Sequence, residues 1–270
     1  MPQVDNDGVR IDYEVDGPAD APVVAFCEGL GYARWMWSFQ RDRLADYRTL
    51  VFDNRGTGES DVPADDAAYS IPAFASDLDV VLDAEDIESA HVVGASMGGM
   101  TAQQYAHDYD RAASLVLLCT SHGGDAAVPT PESTQRRMFS VPESYDEREA
   151  LRYKMQPAMS DEFWDDNDAL VEEMIDWRLT SDAPEPARLA QASAVDAFDS
   201  TAWLGELDLP ALVMHGTADR VLPVENGTQL HERLSNSELD LYEHGSHLFF
   251  IEKADPVTAR IRTHLEDHAR

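Results

Sequence analysis

Residues 91–106 read "HVVGASMGGMTAQQYA", and the order of residue types in them decides the fold. A β-branched run stops at Gly94, a serine stands at 96, two glycines follow, and helix-forming residues continue. That pattern is a strand entering a helix through a very tight corner. Gly94-Ala95-Ser96-Met97-Gly98 fits G-x-S-x-G, in which the serine is held above the sheet because the residues two places either side carry no side chain. The helix that follows turns its free amides toward the corner, which favours a developing oxyanion. The competing reading is a plain tight turn. The choice rests on whether a base and an acid lie at the right places downstream.

Outward from the corner, nearly continuous apolar blocks recur. They are "PVVAFC" (22–27), "RTLVFD" (48–53), "AHVVGA" (90–95), "SLVLLCT" (114–120) and "PALVMHG" (210–216). Strands covered on both faces have this composition. "VRIDYEV" (9–15) alternates as an antiparallel edge strand does, and "LDLYEH" (239–244) is a weaker last strand. Helical periodicity lies between them. Over 71–86, Phe74, Leu78, Val81 and Leu82 recur at helical spacing, with Ser70 as cap and Pro72 in the first turn. Residues 97–108 and 224–234 also fit helices, and Pro256 opens a final one. Strands alternating with helices predict an α/β fold built on a doubly wound, mostly parallel sheet. Ligands of such sheets sit beyond the carboxyl ends of the strands.

The rhythm breaks from Gly123 to about Leu207, where prolines at 129, 131, 142, 157, 184 and 186 interrupt helical fragments such as "DNDALVEEMIDWRL". This reads as a helical insertion, a lid over residues 123–207, with a core domain formed by 1–122 and 208–270. Met155, Met159, Phe163, Met174 and Trp177 give the insertion apolar surface, and packing onto the core is the reading adopted for most of them. The acidic run "SDEFWDDND" reads as a solvated face.

A serine hydroxyl needs a base, and the base an orienting acid. "LVMHGTADRVLP" sets Asp219 just past an apolar strand, and "YEHGSHLFFIEKADP" sets His247 just past the last strand. Both side chains then fall at the sheet edge that carries Ser96. His244 competes with His247; Asp196 and Asp199 compete with Asp219; His215 reads as structural. The Met97 amide is one oxyanion donor. The loop "EGLGYARWMW" after "PVVAFC" offers the second, at Leu30, because Gly29 and Gly31 let backbone approach a ligand.

Composition bounds the rest. Hydrophobic residues make up 43% of 270, enough for a substantial core. No apolar run approaches the roughly 20 residues of a membrane span, and "MPQVDNDGVRIDYEV" has no signal-peptide pattern, so a cytoplasmic protein is expected. Asp and Glu number 52 against 20 Lys and Arg, a net charge of −32, and only Lys154 and Lys253 are lysines. The acids are spread along the whole length, which argues against an acidic tail and for a carboxylate surface adapted to a high-salt cytoplasm; nucleic-acid mimicry is the other reading. Binding to nucleic acid is disfavoured, since phosphates are repelled. Cys27 and Cys119, at the ends of apolar runs, read as small buried residues.

With these residues placed, the chain resembles the α/β-hydrolase fold family over nearly its whole length. "EGLG", "DNRGTGESD" (53–61), "GASMGG", "HGTADRVLPVENG" (215–227) and "GSHLFF" (245–250) carry the likeness, and it is nearest the serine esterase and lactonase branch, including 3-oxoadipate enol-lactonases and carboxylesterases. The resemblance implies a helical lid after the sixth strand, a Ser96–Asp219–His247 triad, and a loop at Asp53, Arg55 and Gly56 that braces the oxyanion turn. Many relatives carry His-Gly where this chain has Glu28-Gly29. Relatives that open epoxides or displace halide use aspartate at the corner, so serine implies acyl transfer. The expectation is a serine hydrolase for a small to medium, apolar ester or lactone, with no cofactor or metal, working as a monomer or small homo-oligomer. Proline-iminopeptidase-like cleavage and perhydrolysis are alternatives, although Met97 replaces the Trp usual in the former. A non-catalytic ligand-binding member is a further one.

Overall fold

The computed structural model describes residues 1–269. Eight strands form one sheet: β1 (Gln3–Asn6), β2 (Val9–Asp16), β3 (Val23–Cys27), β4 (Arg48–Phe52), β5 (Ala90–Ala95), β6 (Ala112–Leu118), β7 (Ala211–Gly216) and β8 (Ser237–Tyr242). Their order across the sheet is β1-β2-β4-β3-β5-β6-β7-β8. β1 and β2 are antiparallel to their neighbours, and every other pairing is parallel. The doubly wound sheet expected from the apolar blocks is present.

One expectation is corrected. β2 is not the edge, because β1 pairs outside it through Gln3↔Asp12 to Asn6↔Val9. The polar stretch "QVDN" has no apolar alternation to announce a strand. The signal lies in the turn: Asp7 and Gly8 both have positive φ, 53° and 86°, as a two-residue hairpin turn requires.

The helices are α1 (Ser38–Arg41), α2 (Ile71–Ala84), α3 (Met97–Asp108), α4 (Glu132–Phe139), α5 (Glu147–Met155), α6 (Asp161–Asp166), α7 (Asp168–Ser181), α8 (Glu185–Asp196), α9 (Glu225–Arg233), α10 (Phe249–Glu252) and α11 (Ala254–Asp267). Ser70 caps α2, its side chain accepting from the Ala73 amide at 3.2 Å, and Pro72 occupies the first turn, where its missing N–H costs nothing.

Strand side chains alternate between two cores, as a pleated strand dictates. Val24 and Phe26, Val93, Val116 and Leu118, and Leu212 and Met214 meet Val257, Ile261 and Leu265 of α11 on one face. Ala25 and Cys27, Val92, Leu115 and Leu117, and Val213 meet Leu78, Val81 and Leu82 of α2, Tyr105 of α3 and Leu230 of α9 on the other. The two cysteines are free and buried. Cys27 ends β3 and Cys119 follows β6, with β5 between those strands.

Between β6 and β7 the chain forms α4 to α8, with an isolated β-bridge from Gly123 to Asp199. Met155, Met159 and Met174 are fully buried in the first core, with Phe163 and Trp177 packed against it. They fasten the helices to the sheet, and none of them lines the cavity at Ser96. A third cluster joins Ala187, Ala190 and Ala194 of α8 to Phe74, Met97 and Met100, setting α8 beside the corner at Ser96.

Candidate active site

Ser96 follows β5 and stands at the N-cap position of α3, with φ 55° and ψ −117° and no side-chain capping bond. A non-glycine residue there carries backbone strain of about 1–3 kcal/mol, which the surroundings must impose. They do so through bonds and close contact. The Ser96 amide donates to the Leu118 carbonyl at 2.9 Å, and its own carbonyl accepts from Thr120 Oγ1 at 2.7 Å. A Cβ on Gly94 would stand 2.1 Å from the Gly98 oxygen, and one on Gly98 would stand 2.0 Å from the Cys27 oxygen. No side chain fits either position, so both glycines are required by the packing of β5, α3 and β3.

Asp219 follows β7 and His247 follows β8, and the fold brings them together. His247 Nδ1 lies 2.7 Å from Asp219 Oδ2. An ionised carboxylate can only accept, so Nδ1 carries the hydrogen and Nε2 is the free, basic nitrogen. The other oxygen, Oδ1, accepts from the amides of Val221 at 2.7 Å and Leu222 at 2.9 Å. Burial alone would raise the Asp219 pKa. The neighbouring His247 and His215 rings outweigh it and hold the carboxyl at about 2.

The competitors lie elsewhere. His244 is exposed beside Glu243. Asp199 bonds Thr201, and Asp196 is an exposed residue at the cavity rim; neither is bonded to His247. His215 is fully buried, with Nε2 3.2 Å from Asp219 Oδ2 and 2.9 Å from the Leu222 carbonyl. It is a second support for Asp219 that the strand-end "HG" only hinted at.

Ser96 and His247 line one cavity of about 340 Å³, with Leu30 and an apolar wall that includes Met36, Leu248 and Phe250. Among the described residues, the amides of Leu30 and Met97 have no backbone or side-chain acceptor, as oxyanion donors require. The turn bearing Leu30 is clamped by Gln191 of α8. Its Oε1 accepts from the Gly31 amide at 2.8 Å, while its Nε2 donates to the Arg55 carbonyl at 3.1 Å and to Thr57 Oγ1 at 3.0 Å. Nothing in the sequence marks Gln191, because its partners lie far away along the chain. Asp53 accepts from the amides of Arg34 and Glu59, and Arg55 pairs with Asp77; neither lines the cavity.

Glu28 is fully buried just before this turn, and among the described residues neither carboxyl oxygen has a hydrogen-bond partner. Burial, reinforced by Asp53, pushes its pKa well above the ordinary carboxylate range. A neutral carboxyl is the form such a site tolerates, which removes the conflict between a negative charge and an adjacent oxyanion.

The sequence profile of the alpha/beta hydrolase fold matches residues 22–254. The chain belongs to the α/β-hydrolase fold family. RutD of Variovorax paradoxus (strain S110), provisionally named a carbamate hydrolase, is 31% identical over 254 residues, covering 90% of this chain and 91% of the relative. The 3-oxoadipate enol-lactonase 1 of Acinetobacter baylyi is 28% identical over 265 residues, covering 92% and 90%. Among solved structures, a thermophilic esterase from Thermogutta terrifontis superposes with a TM-score of 0.81 at 27% identity over 100% of both chains. This α/β-hydrolase therefore has esterase-like and lactonase-like relatives.

Proposed function

We propose that the protein is a serine hydrolase cleaving a carboxylic ester or lactone of a small to medium, largely apolar substrate through an acyl-enzyme. The observation that carries this reading is the 2.7 Å bond between Asp219 and a His247 ring that shares its cavity with Ser96. Named activities of relatives, a lactonase and an esterase, support the substrate class.

In this mechanism Ser96 Oγ attacks the acyl carbon while His247 Nε2 takes its proton, and Asp219 holds the ring and stabilises the imidazolium. The carbonyl oxygen, now negative, is received by the Leu30 and Met97 amides, each donor contributing about 3 kcal/mol of barrier lowering. His247 returns the proton to the leaving oxygen. Water then repeats the sequence on the acyl-enzyme and releases the acid. The helices of residues 123–207 act as a lid, α8 setting one wall of the cavity. The net charge of −32 and the many arginine–carboxylate pairs support work in a high-salt cytoplasm, where ions screen the surface repulsion.

The direct test is hydrolysis of p-nitrophenyl butyrate in molar KCl by the wild type and by Ser96→Ala. Turnover by the first and not the second supports the assignment; equal turnover by both refutes it.

A further inference from the structure

The cavity wall that α8 supplies holds a cation out of keeping with the rest of the chain. Arginines elsewhere find carboxylates or carbonyls: Arg34 with Asp12, Arg55 with Asp77, Arg178 with Asp182, Arg137 with the Tyr153 carbonyl. Among the described residues, Arg188 and the exposed Arg233 are the arginines whose guanidinium groups have neither a hydrogen bond nor an ion pair, the one bond of Arg188 being its helical amide to the Pro184 carbonyl. Arg188 is the one that lines the cavity shared by Ser96 and His247. Leaving that guanidinium unpaired is notable in a chain with 52 acidic residues, because a nearby carboxylate is the cheapest partner for a partly buried cation.

Its placement is specific. The Arg188 stem lies 3.4 Å from where a Cβ on Gly31 would stand, so the side chain passes over the turn that carries Leu30. Lys154 lies close by: burial and then repulsion from Arg188 lower its pKa, while Glu185 acts the other way without forming an ion pair with either cation. The cavity's own carboxylate, Asp196, ends the same helix. Eight residues of α-helix separate it from Arg188, about 12 Å along the axis. The remaining wall is mostly apolar.

We propose that Arg188 is a specificity residue which receives an anionic group on the substrate, so that the preferred ester or lactone carries a carboxylate at the end of an apolar acyl chain. This rests on the serine-hydrolase reading of the same site. Arg188 touches substrate remote from the reacting carbon and fixes its reach into the cavity.

The test compares aryl monoesters of dicarboxylic acids, from glutarate to suberate, with aryl esters of fatty acids of matching length. The readout is the ratio of kcat/KM, charged over neutral, corrected for spontaneous hydrolysis. A charge-assisted bond to a half-buried guanidinium is worth about tenfold or more. The wild-type ratio should exceed unity at the best-fitting length, fall about tenfold in Arg188→Gln, and be largely kept in Arg188→Lys. It should also decline as KCl is raised. A wild-type ratio below unity at every length, or a ratio unchanged in Arg188→Gln, overturns the proposal. The internal ratio keeps the result readable if the variants are partly unfolded. Failure of the wild type on every ester, charged and neutral, with no labelling of Ser96 by a fluorophosphonate, instead overturns the hydrolase reading and this inference with it.

Discussion

Asp219 meets His247 across 28 residues of chain, Oδ2 to Nδ1 at 2.7 Å. Two parallel strands, β7 and β8, end side by side and deliver one group each. The Val221 and Leu222 amides and His215 fix the carboxylate from behind. The imidazole is left with one orientation and one tautomer.

Asp219→Asn keeps the shape and loses the charge. The amide can donate to Nδ1, turning the ring to the tautomer that cannot accept from Ser96. Ester hydrolysis should fall about 10³- to 10⁴-fold in kcat with little change in KM, as steady-state kinetics on p-nitrophenyl butyrate would read.

The corner at Ser96 depends on two absent side chains. Gly94→Ala and Gly98→Ala each force a methyl group to about 2 Å from a main-chain oxygen, where only backbone movement relieves the clash. Each variant should lose about 1–3 kcal/mol or more and most of its activity, since the same movement shifts the amides proposed to receive the oxyanion. Chemical denaturation and kinetics check the two effects separately.

Glu28 gives a pH signature. Its folded-state pKa is raised, so the unfolded chain loses this proton first, from about pH 4.3 upward. Stability from this group is full below that pH and falls as pH rises through the folded value. Glu28→Gln lacks the titration. The melting temperature of Glu28→Gln minus that of wild type should therefore grow between pH 4.5 and pH 8, a range above the onset of the loss. A constant difference would mean that Glu28 is ionised in the native state.

Salt should stabilise the fold. With a net charge of −32, self-repulsion is screened as ionic strength rises. The melting temperature should climb steeply from dilute buffer into molar KCl, and a flat profile would count against high-salt adaptation.

Much of this was legible in the sequence where a residue's role is local. β3, β5, β6 and β7 show as apolar blocks because both faces are covered, and the Ser96 corner shows because its glycines are neighbours in the chain. The meeting of Asp219 and His247 is legible because parallel strands present the residues just past their ends on one rim. β1 stayed hidden because four polar residues at an edge need no apolar pattern. Gln191 and Arg188 are hidden because their significance comes from what the fold sets against them, and His215, legible as structural, gives no sign in the sequence that Asp219 is what it supports. Gln191 reaches Gly31, Arg55 and Thr57 from the far side of the insertion, and no spacing rule encodes that.

The most direct test of the nucleophile is mass spectrometry after treatment with a fluorophosphonate in molar KCl. The expected result is one adduct, on the peptide containing Ser96, absent from Ser96→Ala and formed far more slowly in His247→Ala. Covalent capture at another residue, undiminished labelling of Ser96→Ala, or an inert wild type that is shown to be folded would contradict it.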